Sequence, residues 1–464
     1  MSENIVATAL EQAEYTKAME VGRGVISKTG DVVVDNLGNG PFLLVADERT
    51  WAAAGETVAE SLRDAGAELT EPMIYPGHPT LYASYDHAIE IRERLAEAGA
   101  RGVAIGSGTI NDLVKLASGE LDQPYAVVAT AASMDGYTGF GAPMTRDGLK
   151  ITMPCPAPRA VIFDLDVAAG APAPMAASGY GDLSAKIPAG ADWILADVTR
   201  VDPIHQLAWD LVQGGVKEAL SRPKDLAAGI PEAYEGLCTG LVMSGLAMQV
   251  ANSTRPASGA DHYFSHLWEL DHLGAELDPP LSHGFKVGVG TVASLALWEE
   301  AMRLDLAELD VDRVVAEAPS QDDVVARIRA ALPERIHDES IKVSLEKHVE
   351  GEALRERLLL IQEKWDAIRA RVADQLVAPG EAADMLRRAG APNHPALIGI
   401  GWDRFRATHD KARMIRNRYT VFELLSETGT FDAVLDRLFA STGFWGRHRE
   451  GDSLGGVPVT GLPA

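Results

Sequence analysis

Short apolar runs alternate with helix-like segments between residues 41 and 166, and this alternation constrains the fold more than any other feature. The apolar runs, which are typical of buried strands, lie at 42–46, 72–75, 102–105, 125–130 and 160–163. The segments with helical spacing lie between them, at 50–65, 87–98 and 109–117. Strands that are apolar throughout are buried on both faces, as in a parallel sheet covered by helices. An α/β domain is therefore predicted for the first part of the chain.

The second part of the chain is predicted to be all-helical. The small, proline-rich segment AAGAPAPMAA at 168–177 is interpreted as an inter-domain connection, which divides an α/β domain at 1–170 from a helical domain at 171–464. Helical spacing recurs downstream at 205–220, 235–252, 286–303, 311–331, 342–376 and 410–440. The residues after about 450 show no clear period and are predicted to be loose.

Composition narrows the functional class. The 464 residues include 42 Lys and Arg against 67 Asp and Glu, and a net charge of −25 disfavours nonspecific binding to nucleic acid. Two cysteines, Cys155 and Cys238, make no disulfide framework and favour a reducing compartment. The N-terminus lacks the basic start and apolar core of a signal peptide, and the uncharged run 236–254 contains enough polar residues to be a buried helix. A cytoplasmic protein without a membrane span is expected.

Two loops that follow predicted strands are candidates for a nucleotide site. The segment GSGTIND at 106–112 comes between a strand and a helix, where glycines let the backbone approach an anion at a helix N-terminus. An ordinary tight turn would explain these glycines equally well, since the full dinucleotide fingerprint is absent. The segment TAASMDG at 130–136 follows the next strand and places hydroxyl groups and a carboxylate where α/β sheets bind ligands, although by itself it is better explained as a turn rich in Ser and Asp. Asp47 ends the first strand. Asp47 could bind an adenosine ribose or simply cap a helix.

Histidines in the second half suggest a metal site. His262 and His266 are four residues apart and would share one face of a helix, while Asp182 and His283 lie in GYGDLS and LSHGFK. Two imidazoles and a carboxylate can hold a divalent metal and leave positions open for substrate. Satisfied core or surface histidines are the alternative, because pairs with this spacing also occur by chance.

The spacing alone does not choose the members of this cluster. Asp261 precedes His262 and His272 follows nearby, so either could take part. Lys186 and Arg255 are the cations closest in sequence to the candidates. Beside a metal they could hold a phosphate ester, although most Lys and Arg side chains are merely solvated.

The chain resembles the sn-glycerol-1-phosphate dehydrogenases through five segments in a shared order: GSGTINDLVK, TAASMDGYTGFGAP, SGYGDLSAK, RPASGADHYFSH and HGFKVGVG. These enzymes form a branch of the family that also contains glycerol dehydrogenase, iron-containing alcohol dehydrogenases and dehydroquinate synthase. The resemblance runs from about 40 to 295 and resumes at 400–435. It implies a dehydroquinate synthase-like fold, in which an N-terminal α/β nucleotide-binding domain and an all-α domain enclose the active site.

The resemblance also implies roles for individual residues. The metal ligands are Asp182, His262 and His283, and the substrate contacts are Asp135, His266 and Asp182. Together, Asp182, His262, His266 and His283 make up the implied catalytic set. The NAD(P) contacts are Asp47 on the adenosine side, Gly106, Ser107, Gly108, Thr109 and Asp112 at the pyrophosphate, and Thr130 and Ser133 beyond it. The implied cofactors are NAD or NADP and one divalent metal, with zinc preferred to nickel or iron.

The implied reaction is hydride transfer between NAD(P)H and the ketone carbon of dihydroxyacetone phosphate. The metal would polarise the ketone oxygen, and His266 would help its protonation through bound water. The expected partner is thus a small phosphorylated ketone or alcohol, and a homodimer is the default assembly. The alternatives are a dehydrogenase of an unphosphorylated polyol such as glycerol, a cyclase that uses NAD transiently, and a non-catalytic regulator.

Two departures from the family pattern stand out. Gly139 occupies the position, four residues after Asp135, where the family usually has a serine that contacts the nicotinamide side. The charged region 305–400 matches no family segment and is a candidate for substrate-specific loops.

Overall fold

A six-stranded parallel sheet forms the centre of the N-terminal part in the computed structural model, which describes residues 3–146, 149–451 and 453–460. Its order is β1-β8-β5-β4-β2-β3. The strands are β1 (Ala18–Gly22), β2 (Phe42–Asp47), β3 (Met73–Tyr75), β4 (Arg101–Gly106), β5 (Ala126–Ala129) and β8 (Ala160–Asp164), and an antiparallel hairpin is formed by β6 (Ala142–Arg146) and β7 (Leu149–Met153). The apolar runs of β2, β4, β5 and β8 are buried almost throughout, as the sequence predicts.

Helices pack on this sheet and join its strands. They are α2 (Thr29–Leu37), α3 (Glu48–Thr50), α4 (Glu56–Asp64), α5 (Tyr85–Ala98), α6 (Gly108–Glu120) and α7 (Leu165–Ala169), with a 3₁₀ turn at Val25–Lys28. The first helix, α1 (Glu3–Gln12), precedes β1 and packs on helices of the second part of the chain. The helix predicted at 50–65 is interrupted by a π-helical turn at Trp51–Gly55. The Trp51 ring packs so closely on Gly55 that a Cβ there would collide with it.

The second part is helical, and the described residues after 164 contain no strand. Its helices are α8 (Ala173–Ser184), α9 (Lys186–Val198), α10 (Gln206–Gln213), α11 (Val216–Ala219), α12 (Pro223–Ala227), α13 (Pro231–Ala251), α14 (Ala260–Leu270), α15 (His283–Ala301), α16 (Val311–Glu317), α17 (Gln321–Ala331), α18 (His337–Lys347), α19 (Gly351–Gln375), α20 (Pro379–Arg388), α21 (Trp402–Ala412), α22 (Val421–Glu427), α23 (Phe431–Phe439) and α24 (Phe444–Arg447). Short 3₁₀ turns lie at Leu306–Glu308, Glu334–Ile336 and Pro395–Ile398.

Several predicted helices and the predicted connection need correction. The helix predicted at 311–331 is broken because Ser320 forms a capping box with Asp323 and starts α17. The segment 168–177 is not a connection throughout, because α8 begins at Ala173 with a proline in its first turn. Proline is tolerated there, since the first helical N–H groups have no partner within the helix. The domain boundary at 170 remains a prediction.

The two remaining segments keep much of their predicted character. The run at 236–254 lies mainly in the buried helix α13. Among the described residues, no helix combines the length and apolarity that crossing a membrane requires. Residues 453–460 form neither helix nor strand, but the Val459 N–H donates to the Leu397 carbonyl at 3.0 Å and fastens the segment beside the cleft.

Candidate metal and nucleotide site

A cavity of about 2120 Å³ separates the carboxyl ends of the sheet strands from the helical part. Ligands of α/β proteins bind at this edge of the sheet. Most of the predicted site residues line the cavity: Asp47, Ser107, Gly108, Thr109, Asp112, Thr130, Ser133, Asp135, His262, His266 and His283. The fully buried Asp182 lies beneath its surface, and Gly106 is the last residue of β4. The cavity is roughly twice the upper end of the usual range for a small-molecule pocket, so it has room for a dinucleotide together with a substrate.

The candidate metal ligands Asp182, His262 and His283 come together because helices α8, α14 and α15 pack closely. A Cβ on Gly181 of α8 would collide with the carbonyl of Gly284 of α15, and one on Gly290 would collide with the carbonyl of Asp261 of α14. These helices therefore approach each other more closely than side chains would allow. The close approach brings Asp182 of α8 next to histidines of the two other helices.

Asp182, His262 and His283 offer ligand atoms that all lie within 4.8 Å of one another. His262 Nε2 is 3.7 Å from Asp182 Oδ1. Two imidazole nitrogens and one carboxylate oxygen at these separations fit a single divalent metal ion with open positions toward the cleft. The exposed His272 is not a member of this group.

A buried lysine ties the cluster to the predicted substrate residue Asp135. Lys186 Nζ is 3.0 Å from Asp182 Oδ1 and 2.8 Å from Asp135 Oδ2, and the Asp135 N–H donates to Asp182 Oδ2 at 2.9 Å. Burial opposes the charged forms, but the neighbouring charges dominate. The pKa of Asp182 is lowered to about 2 by Lys186, His283 and His262, and the pKa of Lys186 is raised by both carboxylates.

Lys186 and Arg255 are therefore not placed to hold a substrate phosphate. The lysine is fully buried between its two carboxylates. Arg255 is also buried, and its Nη2 donates to the carbonyl oxygens of Asp192 and Tyr419 at 2.7 and 2.8 Å. Both side chains stabilise the protein around the cleft, and neither is among the residues that line it.

His266 lies beside the cluster in a defined tautomer. Its ring is 5.7 Å from the ring of His262 and 6.2 Å from that of His283. Arg416 Nε donates to His266 Nδ1 at 3.1 Å, and since a guanidinium only donates, the ring proton is on Nε2. Burial and the Arg416 charge lower the pKa of His266 well below its ordinary value. His266 is therefore neutral near pH 7 and acts as a hydrogen-bond donor.

The loop at 106–112, the candidate pyrophosphate site, connects a strand to a helix as the sequence predicts. Strand β4 ends at Gly106, Ser107 is the N-cap, and α6 starts at Gly108. A Cβ on Gly106 would lie 2.6 Å from the Cβ of Ile110, so only glycine allows this turn. The amides at the start of α6 border the cavity, where they can bind an anion.

Asp112 has a second role that its sequence context did not indicate. Its Oδ1 lies 3.1 Å from Nζ of the buried Lys115, which also donates to the carbonyls of Gly136 and Gly141 at 3.0 and 3.2 Å. Asp112 and Lys115 thus fasten the loop that carries Asp135 to helix α6. A contact to a nucleotide would be additional to this link.

The remaining predicted nucleotide contacts are placed as follows. Asp47 caps α3, since its Oδ1 accepts from the amides of Arg49 and Thr50 at 2.9 and 2.8 Å, and it also borders the cavity. The Thr130 N–H donates to the Gly106 carbonyl at 3.2 Å, and Ser133 Oγ is 3.3 Å from a tyrosine hydroxyl. Gly139 lies against Met248, whose Cε would be 3.0 Å from an added Cβ.

Sequence reasoning missed the arginines that line the helical wall of the cleft. Arg416 and Arg418 come from the segment IRNRYT after α21. Arg418 Nη1 donates to the Ser258 carbonyl at 2.7 Å, and burial lowers its pKa to about 10. Arg416 is exposed to the cleft. Alternating arginines after a helical segment were the available signal, although most such residues are only solvated.

Comparisons with known proteins agree with this architecture. A model of the iron-containing alcohol dehydrogenase family matches residues 20–172. The glycerol-1-phosphate dehydrogenase (NAD(P)+) of Halalkalibacterium halodurans is 34% identical over 261 residues, which are 56% of this chain and 65% of that protein. Thus the alignment spans slightly less than two thirds of that relative. The enzyme of the same name from Methanosarcina acetivorans is 33% identical over 60% of this chain and 77% of its own.

A solved structure shows the same fold. Maleylacetate reductase from Agrobacterium tumefaciens superimposes with a TM-score of 0.56 over 92% of this chain and 96% of its own, at 18% identity. The identity is low, so this likeness concerns the fold alone. It confirms the predicted combination of an α/β part with an all-α part.

Proposed function

The chain belongs to the iron-containing alcohol dehydrogenase family, in the branch of the glycerol-1-phosphate dehydrogenases, and from this premise we propose that it interconverts dihydroxyacetone phosphate and sn-glycerol 1-phosphate. The proposed cofactors are NAD(P) and one divalent metal ion. The observation that carries the proposal is the convergence of Asp182, His262 and His283 at the cleft that the pyrophosphate-type loop also borders.

The protein's part in this reaction is to bind, orient and shield. When bound by Asp182, His262 and His283, the metal ion supplies Lewis-acid chemistry, and the nicotinamide supplies the hydride. The Nε2–H of His266 donates a hydrogen bond to an oxygen of the bound substrate. Because Arg416 occupies Nδ1, His266 stabilises that oxygen but does not transfer a proton to it, so the proton comes from water.

Asp135 is fixed to accept a hydrogen bond from a substrate hydroxyl. Lys186 Nζ and Ser244 Oγ each lie 2.8 Å from its Oδ2, and both act as donors. A carboxylate held in this way keeps its orientation without substrate. Orientation of both reactants in a cleft is a major source of rate enhancement.

Arg416 is proposed to bind the substrate phosphate. It is exposed to the cleft and holds His266 through Nε, so its guanidinium can also reach a bound anion. Arg416→Ala is expected to lower kcat/KM for dihydroxyacetone phosphate by about 10- to 100-fold, because a hydrogen bond to a charged group contributes about 1.5–3 kcal/mol. The rate with unphosphorylated dihydroxyacetone should fall less, because that substrate loses only the effect that Arg416 has through His266. A comparison of the two substrates checks this difference.

The exposed Arg369→Ala serves as the matched control, since this residue lies on α19 away from the cleft lining. It should leave both substrates unaffected. An equal loss for both substrates in Arg416→Ala would mean that Arg416 acts only through His266.

The deciding experiment follows NADH and NADPH oxidation with dihydroxyacetone phosphate as substrate. It is run before and after the metal is stripped and after zinc or nickel is restored. The proposal expects metal-dependent oxidation with the phosphorylated ketone and little with dihydroxyacetone. Preference for dihydroxyacetone would favour a polyol dehydrogenase, and phosphate release from a suitable substrate without net oxidation of the cofactor would favour the cyclase.

The finer assignments belong to the same proposal. Zinc is the proposed metal, with nickel and iron as alternatives, because two imidazoles and a carboxylate accept all three. Asp47 disfavours a 2′-phosphate, whereas the neighbouring Arg49 on the same wall would accept one, so both nucleotides enter the assay. We also propose a cytoplasmic homodimer, to be checked by fractionation and light scattering. The free cysteines Cys155 and Cys238 support a reducing compartment.

A further inference from the structure

We propose that Asp261 and Glu269 orient the two histidine ligands and set the metal affinity of the site. Both carboxylates come from α14, and each contacts a different histidine. The inference rests on the metal site of the proposed function and is independent of the substrate.

Asp261 fixes the ring of His262. Its Oδ1 is 2.5 Å from His262 Nδ1 and also accepts from the Gly259 N–H at 3.3 Å. A buried carboxylate of this kind accepts hydrogen bonds, so Nδ1 carries the ring proton and the Nε2 lone pair faces Asp182 at 3.7 Å. This is the tautomer that a metal ligand requires.

Glu269 acts in the same way on His283. Its Oε1 is 2.8 Å from His283 Nδ1 and 3.4 Å from Nζ of the nearly buried Lys286. The lysine and the histidine therefore hold the carboxylate between them, and this contact fixes the orientation of the His283 ring beside the other two candidate ligands. Two ligands from different helices are thus oriented by one helix, α14.

The charges of these groups fit a divalent cation. Asp182, Asp261 and Glu269 bring three negative charges to the cluster, and Lys186 returns one positive charge through its contact with Asp182. Asp135 contacts Lys186, and Lys286 contacts Glu269, so their opposite charges cancel in this count. These contacts leave an excess of negative charge, which Arg416 beside His266 reduces only in part, and that excess favours a bound cation.

An unpartnered oxygen adds to this argument. Asp261 Oδ2 is buried, and no hydrogen-bond donor reaches it within the described part of the chain. The carboxylate is stabilised through Oδ1 by His262 and the Gly259 N–H, but its Oδ2 is unsatisfied, so a positive charge nearby would stabilise it further. A metal ion held by His262 would supply such a charge.

Two isosteric variants test the inference. Asp261→Asn and Glu269→Gln remove the charge but keep the shape of the side chain. Each is expected to weaken zinc binding to the full-length chain by about 10- to 100-fold, measured by competition with a chelator of known affinity. Glu317→Gln, an exposed carboxylate paired with Arg313, is the control and should bind zinc like the unaltered chain.

The thermal unfolding of the protein with and without zinc separates orientation from folding. Each substitution should lower the unfolding temperature more with zinc bound than without it, because a purely structural role would lower it equally in both states. Should Asp261→Asn fail to fold, the less buried Glu269→Gln decides. Unchanged zinc affinity in the variants, or no zinc binding by the unaltered chain, would overturn the inference. Weaker zinc binding together with no turnover of dihydroxyacetone phosphate would keep the inference and reject the proposed function.

Discussion

Replacing His262 by alanine is expected to abolish metal retention and to lower turnover of dihydroxyacetone phosphate by about a thousandfold or more. The substitution removes one of three donor atoms that lie within 4.8 Å of one another, so only two protein ligands remain for the metal. Lewis-acid stabilisation is worth several kcal/mol, and each 1.36 kcal/mol corresponds to about a tenfold change in rate. Zinc per chain after dialysis and the rate of NADH oxidation are the two measurements.

Two other histidines provide the matched controls. His266→Ala should keep the metal, since His266 is not one of the three converging ligands, but should lose activity with the hydrogen bond it donates. His272→Asn should change neither property, because this side chain is exposed and asparagine tolerates its backbone φ of 56°. A His262→Ala protein that retained both metal and activity would show that the ligand assignment is wrong.

The strands that are buried on both faces could be predicted from the sequence, because such strands are apolar throughout. The strands β2, β4, β5 and β8 are covered on both faces, so their apolar runs mark them within one or two residues. The edge strand β1 has the mixed sequence AMEVG and is only half-buried, so it carries no comparable pattern. It joins the sheet through its pairing with β8, which is distant in sequence.

The helical part was predictable in its class but less so in its boundaries. Apolar spacing continues across the breaks at 318–320 and 348–350, which separate α16 from α17 and α18 from α19. Ser320 caps the start of α17, and Gly351, the first residue of α19, has a positive φ of 59°. Such local signals are weaker than periodicity, so periodicity predicts one long helix in each case.

The candidate site also contains some residues that the sequence indicates and others that only the structure reveals. Histidines and glycine-rich turns are rare enough that their types and their order along the chain indicate chemistry by themselves. Glu269 and Arg416 belong to abundant residue types, and only their distances to the histidines give them a role. Asp261 is a candidate in the sequence because it precedes His262, but its contact with the ring of His262 is known only from the structure. The charge of Lys186 makes it a candidate in the sequence, but its burial between Asp135 and Asp182 changes the function expected of it.

Lys186→Met is expected to destabilise the metal-free protein by about 3–5 kcal/mol, the usual cost of removing one partner from a buried ion pair. Its Nζ is the cation that contacts both Asp182 and Asp135, and all three side chains are largely or fully inaccessible to water. Methionine fills a similar volume but leaves the two carboxylates without that charge. Chemical denaturation of the metal-free protein measures the loss.

A bound divalent ion should reduce this loss, because it neutralises Asp182 from the other side. The difference between Lys186→Met and the unaltered chain should therefore be smaller with zinc than without it. Lys364→Met, an exposed lysine paired with Glu363, should change stability by no more than about 0.5 kcal/mol in either state. An equal loss of stability with and without zinc would show that Lys186 acts independently of the metal site. A loss of stability confined to the metal-free protein would show that Lys186 and the metal ion interact with the same carboxylate.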